Sequence, residues 1–189
     1  AQLEQKEAEL LQAAQKSPSG NIRCFTSELE QLQRMANPTM ETVEQFEKWI
    51  TQKMKEQANN PSSKASRNIP VVVHVIHNGD AVGASENISI NQVNSQITTL
   101  NLDFSATNTD FGNVPATFTT ASTNPDIQFC LAQTDPLGNP TSGIDRVQLS
   151  AASYNTIGAV EAIKPGTSWN PSNYFNIWVI NFGSSGLLG

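Results

Sequence analysis

Through the first third of the chain the apolar residues recur at helical intervals, whereas beyond residue 68 they run together or alternate. In "TVEQFEKWITQKM" the residues Val43, Phe46, Trp49, Ile50 and Met54 fall on one face of a helix. Thr42 and Gln45 have the spacing of a reciprocal cap at its start, and Ser27 with Glu30 repeat that spacing ahead of "LEQLQRM". A helical segment is therefore expected over residues 1–67. A stripe carrying Phe and Trp needs a covering surface, since two short helices bury little by themselves. Packing on the neighbouring helix or on the rest of the chain is expected, rather than on a foreign partner.

The second pattern opens with "IPVVVHVIHNG", Ile69 to Gly79. Its nearly continuous β-branched run reads as a strand covered on both faces. In "ISINQVNSQITTLNLDF" a cap of Ser89 and Gln92 precedes a helix whose apolar face is Ile90, Val93, Ile97, Leu100 and Phe104. "DIQFCLAQTD" sets Ile127, Phe129 and Leu131 against Gln128, Cys130 and Ala132, the alternation of a half-buried strand. "GIDRVQL" reads as a further short strand, and "YFNIWVINF", Tyr174 to Phe182, as a buried one between turn signals. Strand, helix and then strands make a βαβ start to a mixed sheet.

Charge sharpens the division. Residues 1–67 hold nine of the eleven Lys and Arg and nine of the seventeen Asp and Glu, so residues 68–189 carry the whole net charge of -6. The join, "NNPSSKASRN" from Asn59 to Asn68, is small and polar, the composition of a linker. Nothing basic enough to neutralise phosphates is present, which excludes nucleic acid as the main partner. No apolar run reaches the roughly 18 residues of a membrane span. The opening "AQLEQKEAEL" resembles a chain end left by signal cleavage, and Asn87-Ile88-Ser89 is an N-glycosylation acceptor triplet. Both favour export.

Candidate chemistry is sparse. His74 and His77 are the only histidines, and at H-x-x-H spacing in a strand they point to opposite faces. They are expected to be structural, hydrogen-bonded in the sheet or near its end, rather than metal ligands. No H-E-x-x-H, no G-x-S-x-G elbow and no Gly-rich phosphate loop occurs. The aspartates of the second region, Asp80, Asp103, Asp110, Asp126, Asp135 and Asp145, are scattered through turn-like sequence and make no calcium loop pattern, so Ca²⁺ has no support here. Cys24 and Cys130 are too few for a disulfide scaffold and stand in no C-x-x-C pair. By residue chemistry alone the chain reads as a non-enzymatic β-rich domain with a helical leader.

A family resemblance changes that picture. "IPVVVHVIHNGDAVG" with "ISINQVNSQITTLNLDFSATNTD", then "IQFCLAQTDPLGNPTSGIDR", then "SWNPSNYFNIWVINFGSSGLLG" resemble in order and spacing the opening of the catalytic domain in pappalysin-family metzincins of the ulilysin type. The leader "IRCFTSELEQL" through "ETVEQFEKWI" is similar to pro-segments of secreted bacterial members. The resemblance implies an α+β fold: a helical pro-segment and linker over 1–67, then over 68–189 the upper part of a metzincin-type mixed twisted sheet with a backing helix. It implies a secreted zinc metalloendopeptidase zymogen whose zinc-binding helix, H-E-x-x-H-x-x-G-x-x-H, lies beyond residue 189, so that the 1–189 chain should be inactive alone and carries no catalytic residue.

The same resemblance gives roles to residues present here. Cys24 is the candidate latency ligand, a pro-segment thiolate taking the fourth zinc position. Phe25 stands where some members have Gly. A buried thiol, or a disulfide between Cys24 and Cys130, is the alternative. Leu187, Leu188 and Gly189 would begin the upper-rim strand, whose edge pairs with a peptide or protein substrate. Activation would cut beside Arg67, within Ser66, Arg67 and Asn68, and so release the chain from its own pro-segment. The competing reading is a secreted, non-catalytic binding or adhesion module.

Overall fold

The computed structural model describes residues 2–22, 24–59 and 67–188. The chain forms two compact units, residues 1–63 with 184–189, and residues 64–183.

The first unit contains helices α1 (Gln2–Ala13), α2 (Thr26–Ala36) and α3 (Val43–Asn59). Leu10, Ala14, Phe25 and Leu32 are buried, and α1 packs on α2. The Thr42 and Gln45 cap forms in both directions, Thr42 N–H donating to Gln45 Oε1 at 2.7 Å and Gln45 N–H to Thr42 Oγ1 at 3.2 Å. The expected Ser27 and Glu30 cap does not form. α2 begins directly after the buried Phe25, so Ser27 already lies inside the first turn, and Glu30 instead accepts from Arg34 Nη2 at 2.6 Å. The apolar stripe of α3 also departs from expectation. No residue of α3 is buried, Trp49 is 52% and Met54 66% exposed, and Phe46 stacks on Trp49 at 5.9 Å along the same helix.

The second unit is built on β1 (Arg67–His77). Around it lie α4 (Ile90–Phe104), β2 (Ile127–Leu131), β3 (Ile144–Gln148), α5 (Ile157–Glu161), α6 (Lys164–Thr167) and β4 (Phe175–Val179). β2, β3 and β4 all pair with β1 in parallel. Val71 is opposite both Leu131 and Phe175, and Val73 is opposite both Ile144 and Ile177. β2 and β3 therefore share one edge of β1 end to end, and β4 takes the other. Where β2 gives way to β3, Gly143 lies at φ +72°, and a Cβ there would come within 2.7 Å of Ala132 N. Only glycine lets the second strand enter so close behind the first. The fold is α+β, with an open sheet whose described pairings are all parallel and a helix backing it. β4 is shorter than the stretch from Tyr174 to Phe182 and only half-buried, with Phe175 exposed.

One face of β1 is aliphatic. Val71, Val73 and Val75 form a core cluster with Phe129 from β2 and with Val93 and Ile97 from α4. α4 opens with the Ser89 and Gln92 cap in both directions. Asn101 of the same helix reaches the outer edge of β2, accepting from Phe129 N–H at 2.7 Å and donating to Phe129 O at 2.9 Å. That amide takes the place of a further strand. The opposite face carries Val72, His74 and Ile76, each nearly or fully buried.

The acceptor triplet at Asn87 is not available for a glycan. Asn87 is 2% exposed, its Nδ2 donates to Asp80 O at 2.6 Å, and its Oδ1 accepts from Arg146 Nη1. The side chain is a loop fastener, and its support for export falls away.

Candidate functional site

Within the first unit the chain after α1 reverses tightly. Gly20, at φ +84°, donates its N–H to Ser17 O at 2.8 Å, and Ser17 N–H donates to Asn21 O at 2.8 Å. Lys16 and Ile22 make an antiparallel bridge across this turn. On its other side Ile22 pairs in parallel with Leu187, a residue 165 positions later (187 − 22). Ile22 N–H donates to Gly186 O at 2.8 Å, and Leu188 N–H donates to Ile22 O at 2.9 Å. Ile22 is 3% and Leu187 6% exposed, so the pairing is fixed by buried side chains as well as by backbone bonds. The segment expected to begin an edge strand thus has its edge occupied, and the occupant is the leader of the same chain. Gly189 lies outside the described residues.

Two positions beyond Ile22 comes Cys24, just ahead of the Phe25 that precedes α2. It is exposed and lies in an open cleft of about 400 Å³ lined also by Gln15, Lys16, Ser17 and Pro18. The Thr26 hydroxyl, 3.3 Å from Cys24 Sγ, and then the Thr26 backbone N–H hold the thiol below its ordinary range, against desolvation and the nearby Glu28 charge. Hydrogen bonds to a thiolate favour the ionised, metal-binding form. Cys24 and Cys130 are both free. Phe25, at φ -123°, lies in a region open to any residue, so a side chain where glycine is found elsewhere costs this turn no strain. Its ring is buried at 4% exposure and anchors the segment that presents the thiol.

Other expected positions fall elsewhere. Arg67 and Asn68 are the first residues of β1, with exposed side chains, and Arg67 N–H donates to Asp126 O at 2.8 Å. Ser66 lies outside the described residues. His74 and His77 do not converge: His74 bonds across the sheet to Asp145 and Asn176, and His77 Nδ1 accepts from Gly79 N–H at 3.1 Å. Among the described residues no group of three or more His, Cys, Asp or Glu could hold a metal. No described helix is long and apolar enough to cross a membrane.

Comparison with known proteins bears on this arrangement. No family model and no curated protein matches the chain. Solved structures do. Mature mirolysin of Tannerella forsythia, in complex with a cleaved peptide, is 39% identical with a TM-score of 0.52, over 60% of this chain and 42% of its own. A promirolysin variant of Tannerella forsythia is 35% identical with a TM-score of 0.55, over 75% of this chain and 47% of its own. The resemblance to pappalysin-family, ulilysin-like metzincins is shown. It takes in the pro-segment as well as part of the catalytic domain. A third match, mirolysin in complex with a small compound, is again 39% identical and covers 64% of this chain. The chain spans less than half the length of each of these relatives, between 42% and 47%. The structure brings forward one residue that the sequence reading gave no role, Ile22, paired with Leu187. Ile22 carries no signal by itself, and only its place two residues before Cys24 marks it.

Proposed function

We propose that residues 1–67 are the pro-segment and linker, and residues 68–189 the N-terminal part of the catalytic domain, of a secreted zinc-dependent metalloendopeptidase. One observation carries this reading: Ile22 is bonded along Leu187 by two backbone bonds of 2.8 and 2.9 Å, with Cys24 exposed just beyond it. A strand edge offers main-chain groups to any extended peptide, and a leader that fills them leaves none for a substrate. The Cys24 thiolate then supplies one ligand to a zinc ion whose other ligands lie outside this sequence. Bound there, zinc would activate water for peptide hydrolysis, and a thiolate in the fourth position excludes that water.

Removing the leader reverses both effects. Arg67 already donates its backbone N–H to Asp126 O as the first residue of β1. A cut at the Ser66–Arg67 bond would leave the sheet whole, whereas a cut after Arg67 would remove its first rung. The test uses the full-length parent protein, intact and after proteolytic removal of the leader. The intact parent is expected to be inactive on a peptide substrate, and Cys24→Ala to show activity before any cleavage. An intact Cys24→Ala protein as silent as the parent, alongside a cleaved parent that is active, would remove Cys24 from the latency role.

A further inference from the structure

His74 is fully buried on the face of β1 away from α4. Its Nδ1 lies 2.9 Å from Asp145 Oδ2 on β3, and its Nε2 lies 2.9 Å from Asn176 Oδ1 on β4. Three backbone groups determine which way the Asn176 amide faces. Trp169 N–H donates to Oδ1 at 2.8 Å, and Nδ2 donates to Trp169 O at 3.0 Å and Tyr174 O at 3.2 Å. Turning the amide over would set an NH₂ against an N–H and an oxygen against two carbonyls. Both atoms facing the imidazole are therefore acceptors. A neutral imidazole has one donor and one lone pair, so either tautomer would press a lone pair against an oxygen inside a buried site.

We propose that His74 carries hydrogen on both ring nitrogens and so ties β3, β4 and the Trp169 turn onto β1. The ring sits in a frame suited to a cation. Trp178 stacks on it with centroids 5.2 Å apart, and Trp169 meets it edge-on at 6.2 Å. The charged groups facing it are few. Asp145, about one-third exposed, is in direct contact. Lys164 Nζ, 5.6 Å from the Trp178 ring centroid, is paired with Glu161. Trp178 is itself held by Nε1 donating to Thr167 Oγ1 at 2.9 Å. A ring with a single hydrogen would leave either the Asp145 or the Asn176 link facing a lone pair. Asn176 in turn positions the Trp169 backbone, so the turn between α6 and β4 would loosen. His77 is the built-in contrast: its Nδ1 accepts from Gly79 N–H, so it holds hydrogen on Nε2 alone.

The test is nuclear magnetic resonance of the intact chain with isotopically labelled histidine ring nitrogens at near-neutral pH. His74 is expected to show two protonated nitrogens with slowly exchanging hydrogens, and His77 one protonated and one bare nitrogen. His77→Gln assigns the signals. A bare nitrogen at His74, with the proton on Asp145 or absent, overturns the proposal.

Discussion

The two faces of β1 are held by different physics, although they belong to the same eleven residues. Toward α4 the contacts are those of Val71, Val73, Val75, Phe129, Val93 and Ile97, all apolar and without preferred direction. Toward α6 the centre is His74, fixed by two bonds of 2.9 Å to Asp145 and Asn176. The difference matters for register. On the first face β4 offers Phe175, Ile177 and Val179 in succession, so a slip of two residues would still set apolar groups against apolar groups. On the second face the same slip would carry Asn176 away from His74 and leave two buried polar groups unpaired. Apolar burial supplies most of the cohesion, and the polar cluster selects one alignment.

The comparison can be broken from the apolar side first. Phe129→Ala removes a ring at 6% exposure that meets Phe104 at 4.8 Å and Phe175 at 5.8 Å. Its urea midpoint should drop by the equivalent of about 3–5 kcal/mol, with the sheet still formed where protein remains folded. On the polar side Asn176→Ala deprives His74, Trp169 N–H and two carbonyls of their partner. It should cost about 1–3 kcal/mol, but its signature is different. Hydrogen exchange should accelerate at Trp169 and across β4 while α4 stays protected. The smallest effect sharpens the contrast from the apolar side, at the Asn101 amide. Asn101→Ala frees the N–H and C=O of Phe129 at a strand edge, where water can reach them. A loss of about 1 kcal/mol is expected by chemical denaturation. An edge left open should also raise self-association, read by sedimentation, and an unchanged monomer would show that the amide does not guard that edge.

Local patterns were legible wherever the deciding contacts were near in sequence. The caps at Thr42 and Ser89, the β-branched run of β1 and the apolar face of α4 depend on residues within a few positions of each other. The cap at Ser27 misled because the same four residues also depend on where Phe25 is buried, which spacing does not encode. The α3 stripe predicted burial, yet none of its residues is buried and four of the five are exposed, because amphipathic spacing states a capacity and not a partner. Strand geometry correctly set His74 and His77 apart. What His74 does instead was out of reach, since Asp145 is 71 residues away and Asn176 102. The candidate site was legible only through resemblance. Cys24 carries a motif, but the pairing of Ile22 with Leu187 joins residues from opposite ends of the chain.

The all-parallel arrangement around β1 has a consequence for synthesis. Each neighbour of this strand arrives late, and the partner of His74 on β4 is made 102 residues after it. At about 5–20 residues per second, β1 waits on the order of 5–20 s on the ribosome before its last neighbour exists. Until then "VVVHVI", Val71 to Ile76, is a bare, β-branched stretch without acid, Lys, Arg or proline, the kind that joins with copies of itself. Translation speed and chaperone supply should therefore set the yield of this protein more than its final stability does. Slowing the codons after residue 80 should lower soluble yield, even though the folded product would be identical.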